Sequence, residues 1–419
     1  MSLTSPTNTR ADHQIADRAP LLVGCVGAGQ MGAGIAATAV THGLAALVRD
    51  LSETSLETAR TRAIKAAERA GADPADAMGR WSATTTWDGF AQADVVIEAV
   101  FELPDLKRET LSQVSRLVAA ETLLATNTSA IPIASLADSV ADSTRFLGTH
   151  FFSPVERMPL VELVPHADTS DETVRRATEL ARQLGKTPVI VADVPGFFTS
   201  RVYARWLIEA TRLLLDGVEP DQIEEEATAV GFPVGPLQAH DEVTLDLVLK
   251  ASLAQVARPV MADRIDVDGV ERALTTLVGN GVEGRRQGRG FYAYAAGRRD
   301  GLDPLIGSLL GVAPRSLAPG EAGERMLLAF LSEALLCWDD GTICHPDDGD
   351  VASVLGIGFP RDLGGPFRYV DEVGPAQVVE RLERLDSPAF PVSQTLRDLI
   401  PTGSKFADQR RRTAPGISS

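Results

Sequence analysis

The sequence has few of the features that mark secreted, membrane-spanning or disulfide-stabilised proteins. Only three of its 419 residues are cysteines, namely Cys25, Cys337 and Cys344, and no two of them have CxxC spacing. Sparse cysteines in odd number do not predict a disulfide framework and favour a reducing compartment. No apolar run approaches the roughly 18 residues that cross a bilayer, and the N-terminus has no basic and apolar signal pattern. We therefore expect a cytoplasmic protein without a membrane span.

Positive charge and metal-binding patterns are also scarce. With 40 Lys and Arg against 57 Asp and Glu, the formal net charge is −17, which argues against nucleic acid as a partner. A local basic pocket for a phosphorylated small molecule is compatible with that charge. No group of His, Cys and carboxylate residues has ligand spacing, so no metal site is predicted. The composition, 44% hydrophobic and 23% charged, is typical of a globular chain of two or three domains.

A glycine-rich turn at 27–32, with the sequence GAGQMG, separates a buried-strand pattern at 21–26 from a helical pattern at 33–41. This context makes the GxGxxG spacing informative for dinucleotide binding. Gly27 permits a tight turn, Gly29 lets the backbone approach a pyrophosphate, and Gly32 lets helix and strand pack closely. The helix N-terminus would then face the phosphates. The predicted cofactor-binding residues of this turn are Gly27, Gly29, Gln30, Met31 and Gly32.

A second strand pattern at 45–48 ends in Arg49 and Asp50, and Asp50 lies 23 residues after Gly27. A carboxylate at this position can accept both ribose hydroxyls of NAD and would repel the 2′-phosphate of NADP. NAD is therefore the predicted cofactor. Arg49 supports the alternative, because a neighbouring guanidinium can accommodate a 2′-phosphate.

Further strand patterns at 94–98, 123–126 and 188–192 extend this into a doubly wound α/β sheet of the Rossmann type. In such sheets ligands bind beyond the carboxyl ends of the strands. Polar side chains follow several of these strand patterns, and they are Glu102, Asn127, Ser129 and His150. We expect them to face one crevice.

His150 and Glu162 lie on two apolar runs that a proline-containing loop separates, which predicts strand, loop, strand. A carboxylate on one strand can hold one ring nitrogen of the imidazole and leave the other free to accept a proton. We interpret the pair as a general base and its orienting carboxylate. The alternative is a hydrogen-bonded pair that only ties the two strands together.

Six segments together resemble the L-3-hydroxyacyl-CoA dehydrogenase family, and they read VGAGQMGAGIA, IEAVFELPDLK, ATNTSAI, GTHFFSPVERMPLVELV, DVPGFFTSR and GRGFYAY. The resemblance runs from about residue 20 to 400. It is greatest to the dehydrogenase portion of the bacterial fatty-acid oxidation complex alpha subunit, without the hydratase portion. It implies reversible NAD-dependent oxidation of an L-3-hydroxyacyl-CoA to the 3-oxoacyl-CoA, as in fatty-acid β-oxidation.

The resemblance also implies a role for each matching residue. His150 would be the catalytic base and Glu162 its orienting carboxylate. Asp50 would bind the adenosine ribose, and Ser129 would contact both cofactor and substrate. Glu102 and Lys107 would line the nicotinamide side.

Two positions of the proposed site depart from the family pattern, which usually has Asn where this chain has Ser153 and Ser200. In the family, the Asn at the second position helps to hold the substrate carbonyl near the histidine. Ser200 keeps one donor with a shorter reach, so a water can fill the gap. Lower turnover or an altered substrate would follow.

The C-terminal half repeats one helical unit. Arg201 and Glu209 of the first copy recur as Arg325 and Glu333, and the offset between the copies grows from 124 to 130 through small loop insertions. In single-repeat relatives this unit pairs two subunits. A tandem copy would bury that surface within one chain, so a monomer is as compatible with the sequence as a homodimer. A hydratase or thiolase partner also fits the resemblance.

The predicted organisation comprises a disordered leader at 1–18, a NAD-binding Rossmann domain at 19–195, a first helical repeat at 196–296, a linker at 297–322, a second helical repeat at 323–401 and a flexible tail at 402–419.

Two other functions compete with the family assignment. One is an NAD-dependent dehydrogenase of a hydroxy acid that carries no CoA. The other is a weakly catalytic NAD-binding scaffold, for which Ser200 is the hint. A basic stripe on the helix at 52–70, formed by Arg62, Lys65 and Arg69, is interpreted either as a solvated face or as an anchor for CoA phosphates.

Overall fold

The computed structural model describes residues 21–249, 267–295 and 298–412. The leader predicted at 1–18 lies outside these residues. The described chain forms an α/β unit around one large sheet, followed by a unit built mostly of helices. This arrangement confirms the predicted fold class.

Eight strands form the large sheet, and they are β1 (Leu22–Val26), β2 (Ala45–Arg49), β3 (Trp81–Thr84), β4 (Val95–Glu98), β5 (Leu123–Thr126), β6 (Phe146–Phe151), β7 (Leu160–Val164) and β8 (Thr187–Ile190). Their order across the sheet is β3-β2-β1-β4-β5-β6-β7-β8. Neighbouring strands are parallel except for the antiparallel pair of β6 and β7. The strand order reverses between β1 and β4, which places a ligand crevice at their carboxyl ends.

Six α-helices accompany this sheet, and they are α1 (Gln30–Thr41), α2 (Glu53–Ala70), α3 (Pro74–Gly79), α4 (Pro104–Ser115), α5 (Ala134–Ala137) and α6 (Asp171–Gln183). Local chemistry sets the ends of α2. The Ser52 side chain accepts a hydrogen bond from the Ser55 N–H before the first turn, and Gly71 closes the last turn in the left-handed conformation.

The C-terminal unit contains α7 (Thr199–Leu215), α8 (Pro220–Val230), α9 (Pro236–Val243), α10 (Val267–Gly279), a hairpin of β9 (Tyr292–Ala295) and β10 (Arg298–Leu302), α11 (Ile306–Leu310), α12 (Glu321–Asp339), α13 (Pro346–Gly356), α14 (Pro366–Val373), α15 (Pro375–Arg384) and α16 (Gln394–Thr402). The segment interpreted as a linker at 297–322 thus carries β10 and α11. Within it, β10 pairs antiparallel with β9.

The two predicted copies pack against each other through α7 and α12. A guanidinium nitrogen of Arg201 in the first copy lies 2.8 Å from the Glu333 carboxylate in the second, and Arg325 of the second copy lies 2.7 Å from Glu209 of the first. Each copy therefore gives the other the same pair of groups. This reciprocity is the signature of a two-fold interface, formed here within one chain.

A second reciprocal contact joins the loops after α8 and α13. A methyl group added at Gly231 would lie 3.0 Å from Pro360, and one added at Gly358 would lie 3.2 Å from Pro233. The two copies thus use the same glycine and proline positions to approach each other.

The prediction of a flexible tail from residue 402 is wrong for residues up to 412. The backbone N–H groups of Phe406 and Ala407 donate to the Asp371 carboxylate, and the Phe406 ring is buried. Further on, the Arg412 N–H donates to the Cys344 carbonyl. An acidic cap and one aromatic anchor therefore bind this segment to the second copy, and neither contact has a local sequence pattern.

Within residues 21–249, 267–295 and 298–412, no helix combines the length and the apolar character needed to cross a membrane.

Candidate active site

His150 and Glu162 face each other across the antiparallel pair β6 and β7, where they occupy the same register position. The Nδ1 atom of His150 lies 2.7 Å from Oε2 of Glu162. Glu162 is fully buried and His150 almost so. Nδ1 must therefore carry the hydrogen of this bond when Glu162 is ionised, which leaves Nε2 as the nitrogen that can accept a proton.

Thr199, at the start of α7, completes the surroundings of this carboxylate. Its backbone N–H donates to Oε1 of Glu162 at 2.9 Å, and its hydroxyl donates to Oε2 at 2.7 Å. These donors, together with the N-terminus of a 17-residue helix, stabilise a carboxylate that has lost its water. Thr199 is not among the site residues predicted from the sequence, although a threonine that opens a helix pattern after Pro-Gly-Phe-Phe is a visible signal.

Two phenylalanine rings pack around the imidazole. The ring centroids of Phe152 and Phe197 lie 4.5 Å and 5.9 Å from that of His150. Phe197 has a φ of 49°, a left-handed conformation that costs a residue with a side chain about 1–2 kcal/mol. Such strain persists only where the surroundings enforce it, here in the turn that aims the Thr199 N–H at Glu162.

The loops after β4 and β5 meet. The Glu102 carboxylate accepts hydrogen bonds from the Thr128 hydroxyl and, at 3.0 Å, from the Ser129 N–H. Both Glu102 and Ser129 are exposed. Asn127 points inward instead, since its side-chain oxygen accepts a hydrogen bond from the Phe151 N–H and so anchors the end of β6 beside His150.

Lys107 lies deeper than a cofactor ligand usually does. Its ammonium is completely buried, 3.0 Å from the Glu98 carboxylate and 3.0 Å from the Asn127 carbonyl, while Glu102 lies at 3.4 Å. Burial raises the pKa of Glu98, and the charge of Lys107 opposes that shift. Lys107 therefore supports the loops after β4 and β5 from below.

The geometry of the glycine turn fits a dinucleotide. Gly27 has a φ of 104°, and a methyl group at Gly32 would lie only 1.9 Å from the Gly27 carbonyl oxygen. Around Gly29, in contrast, no atom of the described residues lies within 4 Å of such a methyl group. The turn thus packs tightly on its inner side and leaves open space where a pyrophosphate would approach. Met31 is partly buried against the core below the turn.

Gln30 connects three parts of the molecule. Its side-chain amide donates to the Ser153 hydroxyl at 2.5 Å and accepts from Arg286 of the C-terminal unit. Its backbone carbonyl accepts from Arg62 on α2. Ser153, on the loop that follows His150, is therefore joined to the glycine turn.

Asp50 lies at the carboxyl end of β2, beside the same turn. Its carboxylate accepts from the Ala28 N–H at 2.8 Å and from the Ser52 N–H at 2.9 Å. Arg49 stacks its guanidinium on the Trp87 ring, 3.9 Å from the centroid. Arg49, the residue that supported NADP as the alternative cofactor, is thus in contact with Trp87.

A cavity of about 310 Å³ opens between the glycine turn and the N-terminal half of α2. Its lining includes Ser52, Thr54, Ser55 and Thr58. The three residues of the predicted basic stripe have different surroundings. Arg62 lines the cavity and makes two hydrogen bonds to Glu156, at 2.5 and 2.7 Å. Lys65 and Arg69 are exposed.

Large apolar side chains are exposed at the ends of β2 and β4. Leu51 is 82% exposed and Phe101 is 81% exposed, and Leu103 is also exposed. These side chains flank Asp50 and Glu102, where a flat, weakly polar ligand ring would cover them. Ser200 directly follows Thr199 and is partly exposed at the first turn of α7.

The sheet carries a dinucleotide turn at one strand end and an imidazole bound to a carboxylate at another. This combination defines a nicotinamide-dependent dehydrogenase. Family models specify which one. Residues 22–194 match the NAD binding domain of 3-hydroxyacyl-CoA dehydrogenase, and residues 196–294 match its C-terminal domain. The chain belongs to the 3-hydroxyacyl-CoA dehydrogenase family and is an NAD-dependent oxidoreductase of 3-hydroxyacyl-CoA, which confirms the activity and the cofactor that the resemblance implied.

Solved structures agree with this assignment. A 3-hydroxybutyryl-CoA dehydrogenase from Escherichia coli K12 is 25% identical, with 92% of this chain and 99% of that chain covered and a TM-score of 0.79. An (S)-3-hydroxybutyryl-CoA dehydrogenase from Ralstonia eutropha is 34% identical, with 66% and 100% covered and a TM-score of 0.61. The dehydrogenase part of multifunctional enzyme 1 from C. elegans, 21% identical over 94% of this chain and 93% of that chain, shares the fold with a TM-score of 0.65.

Proposed function

We propose that His150 is the general base that removes the hydroxyl proton while an L-3-hydroxyacyl-CoA is oxidised by NAD, and that Glu162 orients it. The observation that carries this proposal is the 2.7 Å bond between Nδ1 of His150 and Oε2 of the fully buried Glu162. With Nδ1 fixed as a donor, Nε2 is the atom that takes the proton of the substrate hydroxyl.

Bound NAD supplies the hydride acceptor for this reaction. As Nε2 of His150 takes the hydroxyl proton, positive charge develops on the ring. The ionised Glu162, 2.7 Å away, stabilises that imidazolium. The rings of Phe152 and Phe197 pack against the imidazole, and His150 is almost fully buried, so the carboxylate and not solvent compensates the charge.

The substrate side of the site is proposed from the remaining polar groups. Ser129 and Ser200 would contact the acyl part, while Gly29, Asp50 and Glu102 would contact the cofactor. Arg62 is largely neutralised by Glu156, so the exposed Lys65 and Arg69 are the freer partners for CoA phosphates. The relatives named for 3-hydroxybutyryl-CoA favour a short acyl chain.

The test replaces His150 by glutamine and measures both NADH binding and acetoacetyl-CoA reduction. Binding should persist, because the glycine turn and Asp50 are unchanged, and turnover should fall by about two to four orders of magnitude. His42→Gln is the matched control, since His42 is exposed at the C-terminal end of α1, opposite the end that carries the glycine turn. Near wild-type turnover in His150→Gln would refute the assignment.

The assembly and location of the protein are proposed together. The reciprocal contacts of Arg201 and Arg325 support a monomer, because each copy already covers the face of the other. Light scattering should then give the mass of one 44.5 kDa chain. We also propose a cytoplasmic location and a domain boundary near residue 195. Co-purification would test for a hydratase or thiolase partner.

A further inference from the structure

The Glu162 carboxylate divides its two oxygens unevenly. Oε1 accepts the Thr199 N–H, whereas Oε2 accepts both the Thr199 hydroxyl and Nδ1 of His150, each at 2.7 Å. Two donors on one oxygen compete for the same electron density. The hydroxyl therefore weakens the hold of the carboxylate on a protonated imidazole.

We propose that Thr199 is a positioning residue whose hydroxyl shares Oε2 of Glu162 with His150 and so sets the pH at which the imidazole becomes a base. This inference rests on the proposed role of His150. It assigns to Thr199 a tuning function that a purely structural helix start would not have.

The burial of the three groups makes such tuning effective. Thr199 and Glu162 are fully buried and His150 is 6% exposed. In a medium with little water, the charge on a carboxylate depends on the donors that the protein supplies. Loss of one donor from Oε2 therefore changes the interaction with His150 more than it would at the surface.

Charged groups on the surrounding elements are committed elsewhere. On α7, Arg201 pairs with Glu333, and after β8 the Asp193 carboxylate accepts two backbone N–H groups at the N-terminus of α5. On α13, Asp350 accepts the Phe367 N–H. Among the described residues, the ion pair with Glu162 is the one that His150 makes, so Thr199 acts on the dominant charge.

The test compares Thr199→Val with Thr199→Ser in the full-length enzyme. Valine keeps the shape and removes the hydroxyl, so Oε2 serves His150 alone and the imidazole holds its proton to higher pH. The acid limb of kcat/KM for 3-hydroxybutyryl-CoA oxidation should move up by about 0.5–1 pH unit. Serine keeps the donor and should restore the wild-type profile, while NADH binding should be equal in all three proteins.

A second background separates tuning from damage. In Glu162→Gln the shared charge is absent, so adding Thr199→Val should not move the acid limb further. An unmoved limb in Thr199→Val, with turnover lowered equally at every pH, would overturn the proposal and leave Thr199 as a helix start. If valine prevents folding, Thr199→Ala provides the same comparison.

The two proposals fail in different ways. If His150→Gln keeps near wild-type turnover, the proposed function fails whatever Thr199 does. If His150→Gln is inactive and the acid limb of Thr199→Val stays in place, the base assignment stands and only the role of Thr199 is refuted.

Discussion

Replacing Glu209 by glutamine is expected to destabilise the paired helical copies strongly. The fully buried Glu209 carboxylate is bound by three arginines, with nitrogen to oxygen distances of 3.2 Å for Arg205, 2.8 Å for Arg212 and 2.7 Å for Arg325. Arg205 is also fully buried, and burial lowers its pKa. Removal of the anion leaves this guanidinium with the Ala389 carbonyl as its other hydrogen-bond acceptor.

The expected magnitude follows from that burial. Breaking a buried ion pair by removing one partner costs about 3–5 kcal/mol, because a desolvated charge loses its compensation. The two less buried arginines add little beyond this value, since solvent can reach them. At about 2–4 °C for each kcal/mol in a domain of this size, Tm should fall by roughly 6–20 °C.

Thermal unfolding followed by circular dichroism measures this change. Glu225→Gln is the matched control, because Glu225 lies on α8 in the same copy and is exposed, and its Tm should change by less than about 2 °C. If Glu209→Gln were as stable as this control, the copies would not depend on the reciprocal ion pairs, and the inference of an internal two-fold interface would lose its main support.

The remaining predictions concern the glycine turn and one partly buried carboxyl. Gly32→Ala should prevent folding of the turn, because the methyl group would lie 1.9 Å from the Gly27 carbonyl oxygen. Gly29→Ala should fold, because its methyl group meets open space, and should weaken NADH binding. Equal soluble yields of the two variants in expression trials would contradict the predicted difference. Burial raises the pKa of Asp350 to about 7, well above the usual value of an aspartate, so the stability linked to its proton is present below about pH 4 and is lost as the pH rises through about 7. Asp350→Asn should therefore raise Tm relative to wild type more at about pH 8 than at about pH 5, and an equal change at both values in thermal unfolding would refute the assignment.

Much of the fold could be predicted because it depends on local patterns. The glycine turn, Asp50 and the strands around them follow from spacing and apolar periodicity over short stretches. The pair of His150 and Glu162 was also accessible, since both lie on strand patterns joined by one loop, and an antiparallel return brings such positions together. The two helical copies were visible as a repeat of residue types.

The unpredicted features depend on partners that are distant in sequence. Arg62 looked like part of a basic stripe, but its partner Glu156 lies 94 positions away. Lys107 gave no sign that its ammonium would be buried, because the Glu98 and Asn127 groups that hold it converge only when β4 and β5 pair. Helix and strand patterns report burial of apolar faces, and they carry no information on which polar groups meet.

The second copy is part of the architecture of the active site as well as of the helical unit. Its α13 packs against β7, where a methyl group at Gly356 would lie 2.4 Å from Leu160 and 3.5 Å from the Phe152 ring. Phe152 in turn packs on the His150 imidazole with its centroid 4.5 Å away. The Ala192 N–H also donates to the Thr342 carbonyl, just before α13. Phe152 contacts His150, and β7 carries Glu162. The rigidity of this pair therefore depends on helices that lie about 200 residues further along the chain. The duplication is thus physically linked to the proposed chemistry.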